Sequence, residues 1–78
     1  MKEELIELAR ILMKMASKQQ KGVISQYISS VNSNRYNNAR IVADEMMDCF
    51  IEEDVDGRKA EIASKLYDKT MEFYEINS

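Results

Sequence analysis

Arg35 and Arg40 lie five residues apart in the run NSNRYNNAR, residues 32–40, with Tyr36, Asn37 and Asn38 between them. These residue types suit anion chemistry. A guanidinium pairs phosphate through two parallel hydrogen bonds. Asparagine pairs with the edge of adenine, and tyrosine stacks on bases. A helix N-terminus adds free N–H groups to such a site.

Two further groups invite chemical readings. Glu52, Asp54, Asp56 and Gly57 fit positions one, three, five and six of a calcium-loop register. Lys59 then stands where an aliphatic residue belongs, and Ala63 where the bidentate glutamate belongs, so an acidic turn is the simpler reading. Cys49 is the only cysteine and the chain has no histidine to activate it. Asp48 and Glu52 beside it disfavour a thiolate, and the same lack of ligands argues against zinc. No nucleophile elbow or phosphate-binding glycine loop is present, so the expectation is a non-enzyme with no cofactor.

These residues need elements to hold them. With no proline and two glycines in 78 residues, long helices are easy to form. Leu5, Leu8, Leu12 and Met15 recur at helical spacing and predict a helix over about 3–18. Glu3, Glu4 and Glu7 at its start and Lys14 and Lys18 at its end complement the helix dipole. Gly22 reads as a terminator or bend, and the spacing leaves open whether 3–31 is one helix or two. Ile24, Tyr27, Ile28 and Val31 share a face of a helix over about 23–31.

A third helix is predicted over about 35–54, with Asn32, Ser33 or Asn34 as its cap. Its apolar stripe is Tyr36, Ala39, Val42, Ala43, Met46, Cys49 and Phe50. A fourth is predicted over about 57–75, capped by Asp56, with Ile62, Ala63, Leu66, Thr70 and Phe73 inward. The fold class expected is all-α, a small bundle of three to four helices forming one domain over 1–78, which dimerisation could complete. The longest apolar run is three residues, Ile11–Met13, which allows no membrane span. A lone thiol and no export signal point to the cytoplasm.

Charge is distributed unevenly. Residues 8–43 hold six basic and no acidic groups, while the remainder holds fourteen acidic and five basic, for a net charge of −3. The third helix is charged against its own dipole: Arg35 at the positive end, Glu52, Glu53 and Asp54 at the negative end. Such a violation of local rules marks a functional surface.

Three functions follow from these features. The leading expectation is a helical interaction module that binds and regulates a protein partner and self-associates as a dimer. Met47, Ile51, Tyr67 and Tyr74 lie off the inward stripes and would form its interface. The alternative is a helix-turn-helix-like nucleic-acid binder using Lys18, Lys21, Arg35, Asn37, Asn38 and Arg40, although the turn lacks the usual glycine and the aliphatic position after it is out of register. The third is an acidic decoy, in which the seven carboxylates of 44–56 engage a partner's nucleic-acid site.

Overall fold

The computed structural model describes residues 2–53 and 57–77. These form four α-helices: α1 (Lys2–Met15), α2 (Lys18–Asn32), α3 (Tyr36–Glu53) and α4 (Arg58–Asn77). No strand occurs among the described residues. Each helix packs on the next in sequence, and α4 returns to pack on α1. Short connections make successive neighbours antiparallel. The pairs α1/α3 and α2/α4 therefore face each other diagonally across a common core.

That core is filled by Leu5, Leu12, Ile24, Tyr27, Val31, Met46, Phe50, Leu66 and Tyr74, all fully or nearly fully buried. Ala9, Ala39, Ala43 and Ala63 are buried among them and keep the helices close. Each large side chain removed from water contributes roughly 1.5–3 kcal/mol. A surface ion pair ties α1 to α4: Lys69 Nζ lies 2.6 Å from Glu4 Oε1. Lys69 holds the Glu4 carboxyl below its usual range, and Glu4 raises Lys69. Both groups are exposed to solvent, so screening leaves little net stabilisation.

The break between α1 and α2 falls at Ala16 and Ser17, not at Gly22. Ser17 is extended and caps α2: its Oγ accepts the Gln20 N–H, and its own N–H donates to Gln20 Oε1 at 2.8 Å. This reciprocal pair satisfies two helix-start donors at once. Residues 2–32 are thus two helices, and Gly22 sits exposed inside the second.

The expected α3 cap residues instead close α2. Ser33 N–H donates to Ser29 O at 3.0 Å, Asn34 N–H to Val31 O at 3.2 Å, and Arg35 N–H to Ser30 O at 2.9 Å. The six-residue closure with a left-handed residue in the middle is a Schellman turn. Asn34 supplies that residue, with φ 58°. It does the work expected of a turn glycine, since asparagine tolerates this region better than other side chains. Its Oδ1 also accepts Lys2 Nζ at 2.9 Å, which anchors the start of α1 to this turn. α3 begins on the Arg35 carbonyl, which accepts Ala39 N–H at 2.9 Å.

Two aromatic placements differ from the sequence expectation. Tyr36, expected on the inward stripe, is 42% exposed. Tyr74, expected on an outward stripe with Tyr67, is buried, while Phe73 is only half-buried. The α4 core stripe runs Leu66, Thr70, Tyr74 in steps of four, which turns Phe73 toward the edge. The Tyr36 ring covers Tyr74, with centroids 5.0 Å apart. The proposed Asp56 cap and the Asp54 and Asp56 positions of the calcium-loop register lie outside the described residues.

Candidate docking surface

α3 and α4 enclose a groove on the outer surface, lined by Asn37, Arg40, Ile41 and Asp44 of α3 and by Tyr67 and Met71 of α4. The spacing of the lining residues explains the groove. On α3 they recur at 37, 40, 41 and 44, one face of three turns; on α4 they stand one turn apart. The floor is apolar and half-buried, formed by Tyr67 and Met71. Ile41 stands above it, 58% exposed, beside Arg40 and Asp44. Neither charged side chain makes an ion pair with another described residue.

Of the residues expected at a protein interface, Tyr67 lines this groove. Met47 and Ile51 are half-buried. They continue the line Arg40, Asp44, Met47, Ile51, in steps of four, three and four residues along the same flank of α3. Tyr74 does not reach the surface, because its ring lies beneath Tyr36. It is a core residue, which corrects its assignment to the interface.

The residues expected to contact nucleic acid are dispersed. Arg35, Asn37 and Arg40 are exposed at the start of α3. Lys18 and Lys21 are exposed at the start of α2, which places them about 20 Å from Arg35 and about 10–15 Å from Arg40 along the helix axis. Asn38 is engaged within the chain: its Nδ2 donates to Ser30 Oγ, and Ser30 Oγ donates to Gln26 O at 2.9 Å. This network pins α3 to α2 and uses one of the two Asn38 amide hydrogens, while the side chain stays exposed. A second, polar groove lies there, lined by Ser25, Gln26, Ser29, Ser30, Arg35 and Asn38.

Sequence reasoning did not single out Ile41 or Met71, and took Asp44 only as one of the carboxylates of 44–56. A signal for Ile41 was present. It stands two positions from both Ala39 and Ala43, the core stripe, and so on the opposite side of the helix.

Among the described residues no cluster of three or more acidic or cysteine side chains is arranged to hold a metal ion, and no helix is long and apolar enough to cross a membrane. Cys49 is half-buried on α3. Comparison with protein families, with curated proteins and with solved structures finds no match to this chain.

Proposed function

We propose that this chain is a non-enzymatic helical interaction module that self-associates and regulates a protein partner in a reducing, cytoplasmic setting, with the α3–α4 face as a docking surface. The observation that carries this reading is the groove itself. It combines a half-buried aromatic and thioether floor, a large exposed aliphatic residue and a polar rim. That is the anatomy of a protein interface, where an apolar centre is ringed by polar groups. Methionine on such a surface adapts to a partner's shape.

Nucleic-acid binding is the second reading, because Asn38 is partly engaged by Ser30 and Lys18 and Lys21 lie about two or more helical turns from Arg35 and Arg40. The acidic decoy reading retains exposed Asp44, Glu45, Asp48 and Glu52, but part of its stretch lies outside the described residues.

The test is site-specific photo-crosslinking in cells that naturally express the chain. A photoreactive phenylalanine analogue at position 41 is expected to give a discrete protein adduct, and the same analogue at exposed position 72 is not. No adduct from 41, or equal adducts from both, would overturn the reading. Anisotropy of labelled duplex DNA and RNA is the counter-test. Binding whose logarithm falls with log salt by about 0.9 per phosphate, and which Arg35→Ala with Arg40→Ala removes, would put nucleic acid first.

A further inference from the structure

We infer that the occupant of the α3–α4 groove is a second copy of this chain, joined as a twofold dimer in which Arg40 of each copy pairs with Asp44 of the other. The inference rests on the reading of this face as a docking surface and names its partner.

The charge pattern carries the argument. Arg40 and Asp44 stand one helical turn apart, opposite in sign, exposed, and without an ion pair to another described residue. Helices related by a twofold axis crossing them run antiparallel, so residue i of one faces residue j of the other, and j faces i. An axis level with the 40–44 turn therefore brings Arg40 opposite Asp44 twice. A partner presenting a single sign of charge would satisfy one of these residues and be repelled by the other. This chain's own α3 satisfies both.

The apolar groups fall into place in the same arrangement. Ile41 of each copy enters the other's groove and packs on Tyr67 and Met71. Burial there removes the most exposed of the three exposed large hydrophobic side chains among the described residues, Ile41, Tyr36 and Ile11. A stable interface takes at least about 600 Å² from each partner. That is roughly an eighth of the chain's 4910 Å² surface, an amount that one face of a four-helix bundle can supply.

Sedimentation equilibrium of the whole chain, from about 5 to 500 µM, tests this on four variants. The wild type is expected to dimerise. Arg40→Asp sets two aspartates against each other at both symmetry-related contacts, and Asp44→Arg does the same with two arginines. Each is expected to weaken the dimer at least tenfold, since facing like charges are strongly unfavourable. The double variant, Arg40→Asp with Asp44→Arg, restores complementarity and is expected to return to within about threefold of wild type. Ile41→Glu is expected to abolish association. All three positions are exposed, so circular dichroism should show each variant folded.

A wild type that stays monomeric throughout overturns the dimer, while a position-41 adduct to a different protein would still uphold the docking surface. A dimer indifferent to Ile41→Glu overturns this dimer, because the copies then meet elsewhere, and the docking surface then stands or falls on the position-41 adduct. A dimer lost with Ile41→Glu but not rescued by the double reversal overturns the Arg40–Asp44 pairing.

Discussion

The Tyr27 hydroxyl donates its hydrogen to Thr70 Oγ1 at 2.6 Å, across the diagonal of the bundle from α2 to α4. The direction follows from Thr70 itself. Its single hydroxyl hydrogen is used on Leu66 O, also at 2.6 Å, one turn back along α4. Thr70 Oγ1 can therefore only accept from Tyr27. Both residues are fully buried. The two helices are not adjacent in the bundle, so this bond links them across the shared core.

The asymmetry between donor and acceptor gives an ordered prediction. Thr70→Val keeps the shape but leaves the Tyr27 O–H as a buried donor with no acceptor, which costs about 1–3 kcal/mol. Tyr27→Phe leaves Thr70 still bonded to Leu66 O, and is expected to cost less, about 0.5–1.5 kcal/mol. The double variant should be more stable than Thr70→Val alone, because no donor is orphaned. Urea unfolding of the four proteins checks the order. Strictly additive losses would show that the bond is not formed in solution.

Alkaline sensitivity follows from the same pair. Burial pushes the Tyr27 phenol well above its usual value, against the smaller opposing effect of the Thr70 bond, and the Tyr74 phenol is raised by burial and by Tyr36. A group whose folded-state pKa is raised holds its proton more tightly when folded. Its contribution is complete below the unfolded value near 10 and is lost as pH climbs toward the folded value. Stability should thus be unaffected by these tyrosines up to about pH 9 and fall above about pH 10, by at most about 1.4 kcal/mol per pH unit for each. Tyr27→Phe should flatten the fall, as measured by denaturant midpoints between pH 8 and 11.

The helices were legible in the sequence because their apolar periods are long and regular. Leu5 and Leu12 of α1, and Ala39, Val42, Ala43, Met46 and Phe50 of α3, are buried as their spacing requires, while Cys49 of the same expected stripe is half-buried. What was not legible was punctuation. Ser17 and Gln20 spell a capping box, but Gly22 two residues on is the louder signal, and a glycine inside a helix costs only about 1 kcal/mol. Asn34 takes the left-handed turn position without being glycine, so the α2–α3 turn reads as a cap for the wrong helix. Tyr36 and Tyr74 exchange expected places because aromatics at stripe edges are assigned by packing, and spacing alone cannot rank Phe73 against Tyr74. On the candidate surface, Tyr67 was legible as an off-stripe aromatic. The Arg40–Ile41–Asp44 cluster was hidden, because Arg40 reads equally as a phosphate ligand until the fold sets it beside Asp44.

Gly22→Ala should stabilise the chain. The glycine lies mid-helix and exposed, and a Cβ built there meets no atom within 4 Å. Alanine removes backbone freedom from the unfolded state without strain in the folded one, for a gain of about 0.4–1 kcal/mol. In a domain of this size that is roughly a 2–8 °C rise in Tm, measurable by thermal circular dichroism. A lower Tm would mean that Gly22 is needed for a contact outside the helix.

Tyr74→Phe sets burial of the ring against burial of its hydroxyl. The ring is 1% exposed and packs against Tyr36 and, edge-on at 4.9 Å, against Phe73. Its hydroxyl is buried and has no hydrogen-bond partner among the described residues. Phenylalanine preserves the ring contacts, and its burial leaves no polar group without a partner. A buried polar group left unpaired costs about 1–3 kcal/mol, so Tyr74→Phe should be neutral or stabilising, up to about that amount less the packing lost with one oxygen. Tyr27→Phe removes the same atom from a bonded site and should destabilise. The opposite signs of two chemically identical substitutions, read by urea unfolding, separate the value of a hydroxyl from the value of its partner. A Tyr74→Phe loss of more than about 1 kcal/mol would show that this hydroxyl is bonded in solution.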